Sequence, residues 1–298
     1  IQIIDCIEFN DRFRYGDAVL DLSFLHMDLE HLGYPDWSLA FLAEYAARAH
    51  DLELYALVDF YAAYRSIVRL KVSCLRSLEV EGPERRIQED EARLFMKQAY
   101  RYAIQLSRPT LWLFCGLPAT GKSLLAANVA KTLSIPLFQS DAVRGQGRPE
   151  DSPKVVPFGQ GLYRANMRGH VYAQMLALAQ EALKGGHSVI LDATFAHRHW
   201  REEARRLAAD LDTNLVAAEC VCPKETIISR LRQRETEPGL SDARLQHFEQ
   251  LSADFEPIDE LAPNCRFIVN TGQPLDEALG QALSEGYARQ CAQVKEIL

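Results

Sequence analysis

The sequence predicts an α/β fold, a parallel sheet with helices on both faces, preceded by a helical segment, and three observations predict it. From Thr110 onward five short apolar runs, at 111–115, 135–138, 188–191, 215–221 and 266–270, alternate with helical patterns at about 121–133, 163–184, 197–210, 224–234 and 242–254. Such alternation calls for right-handed crossovers between parallel strands. Ahead of it, residues 18–32, 37–50 and 54–77 carry apolar side chains at three- and four-residue spacings, the period of amphipathic helices. The first apolar run also leads directly through Gly116-Leu-Pro-Ala-Thr-Gly-Lys-Ser123 into a helical stretch. Residues 79–90, with Gly82-Pro83 and mixed charge, read as a linker. The expected domains are therefore a helical segment over 1–90 and an α/β domain over 91–298, whose first pattern, 91–105, is helical.

Length and composition bound the function. At 298 residues, 48% apolar and 25% charged, the chain has ample core for two domains or one large one. A formal charge of −8 and a pI near 5.6 argue against a nucleic-acid backbone or an anionic lipid surface as partner. No apolar run approaches the roughly 20 residues of a membrane span, and no basic segment leads into an apolar one at the N-terminus. A cytoplasmic protein without a membrane partner is the expectation. The chain opens Ile1-Gln-Ile-Ile-Asp5 without a methionine, as a segment of something longer would. Seven cysteines lack any Cys-x-x-Cys spacing, which argues against disulfides and zinc. Cys220 and Cys222 read as alternate residues of a buried strand. His197 and His199 are not at the three- or four-residue spacing of a helical metal pair.

The pattern G-x-x-x-x-G-K-S between a strand and a helix is a P-loop, and each residue type has a physical reason. Gly116 and Gly121 permit positive φ and close backbone approach. The loop through Leu117, Pro118, Ala119 and Thr120, with the helix start at Lys122, Ser123 and Leu124, would wrap the phosphates of ATP at a helix N-terminus. Lys122 would reach the β- and γ-phosphates, and Ser123 would offer its hydroxyl to Mg²⁺. Ligands of open α/β sheets bind beyond the carboxyl ends of the strands. Asp141, after the second strand, therefore faces the phosphates as a candidate general base, and Arg144, three residues on, would hold an anionic group. Asp141 would equally serve as a helix N-cap. Asp192 closes the third strand where a carboxylate near the metal is expected, or caps the following helix. Ala193 stands where a water-activating glutamate would follow it, which favours transfer over hydrolysis. Arg230 and Arg234 share a helical face at a lid-like segment, and either could cover the phosphates or remain solvated.

On Gly116–Ser123, Ser140-Asp-Ala-Val-Arg144, Val189-Ile-Leu-Asp-Ala-Thr-Phe195 and Arg230-x-x-x-Arg234, residues 108–285 resemble the P-loop kinases grouped with polynucleotide 5′-kinase, zeta toxin, chloramphenicol phosphotransferase and gluconate kinase. The resemblance implies a P-loop NTPase fold, with Asp141 as general base and Arg144 on substrate phosphate or assisting catalysis. The first segment is similar to the C-lobe of aminoglycoside phosphotransferases. Ile3-Ile-Asp5-Cys-Ile-Glu-Phe resembles its Mg²⁺-binding strand, and Gly16-Asp17-x-x-x-Asp21-Leu22 resembles the helix start that follows. The whole resembles bacterial fusions of an aminoglycoside phosphotransferase-like part with an ATP-binding part. The His-Gly-Asp-x-His-x-x-Asn loop and the N-lobe of that family do not occur in this sequence, so no activity is expected from residues 1–90.

The expected activity is an ATP- and Mg²⁺-dependent phosphotransferase acting on an unidentified hydroxyl-bearing acceptor, most simply a small molecule. The rivals are a nucleotide-sensing module that controls an attached kinase-like part, with the preceding part of a longer chain as its partner, and a toxin-like or nucleic-acid end kinase.

Overall fold

The computed structural model describes residues 16–145, 165–236 and 248–295. The expected strand around Asp5, most of the loop 145–161 and the lid beyond Thr236 lie outside them. The chain divides into two compact units, Ile1–Leu106 and Ser107–Leu298.

The first unit is helical: α1 (Ala18–His31), α2 (Pro35–Ala49), α3 (Leu54–Glu79) and α4 (Gly82–Ser107). Asp17 is the N-cap of α1, its carboxylate accepting from the Val19 amide at 2.9 Å. Pro35 opens α2, and His50 ends it in the left-handed conformation. Met27, Ala62, Phe95 and Tyr102 form an apolar centre. Two polar pairings cross between helices: Gln98 donates to the Met27 carbonyl at 2.8 Å, and Glu30 accepts from both Arg101 and Tyr102.

The structure departs from the expected linker. Helix α4 begins at Gly82 and is continuous through residues 82–90, so the unit boundary falls at 106/107 rather than 90/91. The Gly-Pro pair read as a break is compatible with a helix start, because a proline in the first turn lacks only an N–H that has no intrahelical partner. The mixed charge forms short-range pairs along the helix, Arg85 with Glu89 at 2.9 Å and Arg93 with Asp90 at 2.6 Å.

The second unit is built on five parallel strands, β1 (Thr110–Cys115), β2 (Leu137–Gln139), β3 (Val189–Asp192), β4 (Asn214–Val221) and β5 (Arg266–Asn270), in the order β2-β3-β1-β4-β5. The helices are α5 (Lys122–Leu133), α6 (Ser140–Gly145), α7 (Ala165–Lys184), α8 (Arg198–Asp210), α9 (Lys224–Thr236), α10 (Phe248–Ala253) and α11 (Leu275–Lys295). β1 is fully buried, as a central parallel strand must be. Leu111, Leu113 and Cys115 join Met175 and Ala179 of α7 and Ala204 and Ala208 of α8 in one core.

The second strand starts two residues later than expected. Ile135 closes α5 by donating to the Ala130 carbonyl at 3.0 Å, leaving Pro136 to begin the pairing with β3 through Ile190. Helix α11, which sequence patterning did not reveal, packs on β4, β5 and α5. Among the described residues no helix is long and apolar enough to cross a membrane.

The contact of α11 with β1 yields a test. A Cβ at Gly286 would land on the ring of Trp112, whose side chain is fully buried and has no room to retreat. Gly286→Ala should therefore destabilise the second unit by about 1–3 kcal/mol, the usual cost of overpacking, read as a lower midpoint in urea unfolding. An unchanged midpoint would show that α11 is not seated on Trp112.

Candidate active site

The carboxyl ends of β1, β2 and β3 converge on the loop Gly116–Ser123. Pro118 and Ala119 form the corner of a turn between Leu117 and Thr120, with Ala119 at φ 63°, a conformation uncommon outside glycine. Gly116, at φ 140°, is needed for space. A Cβ there would stand 2.5 Å from the Cys220 carbonyl of β4. Its N–H is taken by the Thr194 carbonyl at 3.1 Å, so Gly116 shapes the loop rather than presenting a donor. Gly121, at φ 95°, precedes α5, whose first-turn N–H groups at Lys122, Ser123 and Leu124 have no carbonyl four residues back within the helix. Those donors and the helix dipole make the anion cradle.

The loop's carbonyls face the other way and are satisfied there. Arg230 Nη1 donates to the Ala119 and Thr120 carbonyls at 3.2 and 2.9 Å, and Nη2 to the Thr271 carbonyl at 3.0 Å. The Thr271 hydroxyl also donates to Thr120 O. Arg230 is thus tied to three backbone carbonyls and braces the P-loop from behind. Arg234 lies on α9, and its side chain is outside the described residues.

Lys122, Ser123 and Asp192 come together. Asp192 is 3% exposed, and burial pushes its carboxyl up; the nearby Lys122 charge and the Ser123 and Gln139 side chains draw it back down, while Asp141 pushes it up further. Asp192 Oδ2 accepts from Gln139 Nε2 at 3.1 Å, whereas Oδ1 is buried without a hydrogen-bond partner among the described residues. Asp192 does not cap α8, whose N-cap is His197. An unsatisfied buried carboxylate oxygen beside a serine hydroxyl is a hard oxygen donor set, and it fits the Mg²⁺ that accompanies nucleotide in P-loops. Ala193 is buried in the core with Leu191 and Phe195, so the position after Asp192 points away from the cradle.

Asp141 and Arg144 sit together just beyond the end of β2. Both lie on α6, and Arg144 Nη1 donates to Asp141 Oδ1 at 2.6 Å. The Asp141 side chain keeps a third of its surface exposed, unlike Asp192.

Three features were missed in the sequence. A cavity of about 370 Å³ adjoins the loop, lined by Gly121, Leu124, Arg230, Gln233, Thr271, Gln273 and Leu275. Its Thr271–Gln273 wall follows β5 directly, and a Thr-Gly pair just past a strand at the ligand-binding edge is the signal that could have found it. Arg201, fully buried, donates to the Phe195 and Ala196 carbonyls at 2.8 and 3.1 Å and pairs with Glu260 at 2.5 Å. It fixes the corner next to Thr194, the partner of Gly116. Gln139, noted above, is the third. Cys220 is buried in β4, its thiol pushed up to about 12 by burial, so it behaves as core.

The strained carboxylate gives a stability prediction. Because the folded-state pKa of Asp192 is raised, its ionised form opposes folding above the unfolded pKa, and that opposition disappears as pH falls through the folded value. Asp192→Asn should unfold at a higher temperature than the unsubstituted protein at pH 8 in metal-free buffer, with the gap closing as pH drops. A variant less stable at pH 8 would show that the carboxylate is internally compensated.

Comparison with known proteins bears on this region. The chain is 36% identical over 285 residues to uncharacterized proteins of Mycobacterium tuberculosis and Mycobacterium bovis, an alignment covering 94% of this chain and 54% of each relative. The chain thus spans about half the length of the curated relatives it matches. Among solved structures it is similar to a gluconokinase from Sinorhizobium meliloti (17% identity, TM-score 0.45, covering 64% of this chain and 98% of that one). It is also similar to the APS kinase CysC of Mycobacterium tuberculosis (21% identity, TM-score 0.42, covering 59% and 94%). Residues 111–258, which hold the P-loop, Asp141, Asp192 and Arg230, match the family described as an AAA domain.

Proposed function

We propose that the second unit is an ATP-dependent phosphotransferase that moves the γ-phosphoryl group of ATP to a hydroxyl of an acceptor, most simply a small molecule. The observation that carries this reading is the pair of carboxylates in unlike settings around one P-loop lysine. Asp192 is buried against Lys122 and Ser123, while Asp141 is partly exposed and oriented by Arg144.

The arrangement divides the work of transfer. Ser123 and Asp192 would hold Mg²⁺, which supplies positive charge to the phosphate oxygens. Lys122 and the amides of the α5 N-terminus take the charge of the β- and γ-phosphates. The cavity beside Leu124, Arg230 and Gln273 has the size and the mix of apolar and polar walls suited to the nucleoside. Asp141 receives the proton of the acceptor hydroxyl and aligns it, and Arg144 keeps that carboxylate in place. The core-facing Ala193 leaves the Asp192 corner without a second carboxylate to activate water, which favours an acceptor hydroxyl over hydrolysis. The helical unit takes no part in this chemistry.

Asp141→Asn should lower transfer by about 10²–10⁴-fold and leave the ATP dissociation constant within roughly 2-fold. Lys122→Ala should weaken ATP binding itself. Product formation against a panel of sugars, polyols and nucleosides, with calorimetry for binding, reads both. Transfer by Asp141→Asn at the unsubstituted rate would overturn the assignment of the base.

A further inference from the structure

Gln139 lies outside the P-loop and outside the pair formed by Asp141 and Arg144, yet its side-chain amide donates a hydrogen bond to the Asp192 carboxylate at 3.1 Å. The contact follows from strand register. β2 and β3 run parallel with Gln139 opposite Asp192, and residues paired in this way stand side by side with their side chains on the same face of the sheet. Both are the last residues of their strands, at the edge where the P-loop lies. Asp192 has two oxygens in different circumstances: Oδ2 accepts from Gln139 Nε2 at 3.1 Å, and Oδ1 is buried with no partner among the described residues. The amide occupies one oxygen and leaves the other as the open donor on a carboxylate too buried to be reoriented by water.

The chemistry of the amide suits the place. A lysine at 139 would neutralise Asp192 and repel a divalent cation. A carboxylate there would add a third negative charge beside Asp141 and Asp192. An amide donates one hydrogen bond, adds no net charge and fixes the rotation of the carboxyl plane. Residue 139 also sits immediately before Ser140 and Asp141, where α6 begins, so the strand end that orients Asp192 is continuous with the turn that presents the base.

We propose that Gln139 is a positioning residue for the metal–nucleotide site, setting the orientation of Asp192 so that Oδ1 is the oxygen offered to a divalent cation beside Ser123. This rests on the Mg²⁺–ATP reading of the P-loop given above and names a residue on which that reading did not depend. Second-layer partners that orient a metal-binding carboxylate are commonly worth 10–100-fold in metal affinity.

Gln139→Met keeps the length and most of the volume of the side chain and removes the donor. ATP binding is measured by calorimetry for the unsubstituted protein and this variant, first in EDTA and then across a Mg²⁺ series, with thermal unfolding in parallel. The expected result is equal ATP affinity in EDTA within roughly 2-fold, little change in unfolding temperature, and a Mg²⁺ midpoint moved upward by about 10–100-fold. Gln139→Ser, which cannot span to Asp192, should shift the midpoint by a similar factor. An unmoved Mg²⁺ midpoint in both variants would overturn the proposal, as would parallel losses of EDTA binding and unfolding temperature with no midpoint shift, the signature of a purely structural strand end. If the unsubstituted protein bound no ATP with or without Mg²⁺, the P-loop reading itself would fall, a result distinct from retention of a normal midpoint by the variants.

Discussion

A loop that turns its N–H groups toward an anion must turn its carbonyls somewhere else, and the second unit is organised around satisfying them. The Ala119 and Thr120 carbonyls are received by Arg230, and Thr120 O also by the Thr271 hydroxyl. On the opposite flank the Gly116 amide is tied to Thr194, and the absence of a side chain at Gly116 lets the loop lie against the Cys220 carbonyl of β4. Each tie reaches a different part of the sheet edge: α9, the loop after β5, the corner after β3 and the end of β4. The cradle is preorganised because unsatisfied buried carbonyls would be costly and each of them has a partner in the sheet edge around it. Arg201 extends the same logic one step outward, since the β3 corner that receives Gly116 is itself held by a buried guanidinium.

Asp192 differs from the loop's carbonyls in being left partly unsatisfied at the same edge. It is almost wholly buried, its carboxyl is pushed up, and one of its oxygens lacks a hydrogen-bond partner among the described residues. A protein selected only for stability would place an amide or an apolar residue there. A buried carboxylate oxygen without a partner, at the sheet edge where the P-loop lies, is the pattern expected where binding of a cation supplies the missing partner. The contrast with Asp141 has the same origin. That carboxylate is on a short helix, partly exposed and paired with Arg144.

What the sequence revealed and what it did not divides along the range of the interactions. The P-loop is legible because its chemistry is contiguous: strand, glycine pair, lysine, serine and helix follow within a few residues. Asp141 and Asp192 are legible because strand ends mark the ligand-binding edge. The carbonyl contacts of Arg230 are not legible because its three acceptors lie 41 to 111 positions away, and nothing local distinguishes a tethered arginine from a swinging one. Gln139 was missed because its meaning comes from register with β3, which a single sequence does not state. Helix α11 was overlooked for a related reason. Its glycines lower helix propensity, yet Gly286 is required where the helix crosses the Trp112 ring. The stretch 82–90 was taken for a linker because glycine, proline and mixed charge punctuate loops more often than they begin helices.

On the proposed function, the position after Asp192 bears on whether water or an acceptor is activated. In a sheet strand, neighbours alternate between faces, so if Asp192 is turned toward the P-loop, residue 193 is turned away from it. The structure has this alternation: Ala193 packs with Leu191 and Phe195 in the apolar core. A glutamate substituted there would be buried in that core before it could reach a water beside the phosphates, and Phe195, at φ 46° and locked by the Tyr172 hydroxyl and Arg201, leaves little freedom to re-aim the corner. The backbone path as well as the residue type therefore disfavours water activation from β3. What remains on the open side of the cleft is the carboxylate of Asp141, supplied by a different strand and set beside an arginine. In the proposed reading, the acceptor hydroxyl approaches from that side.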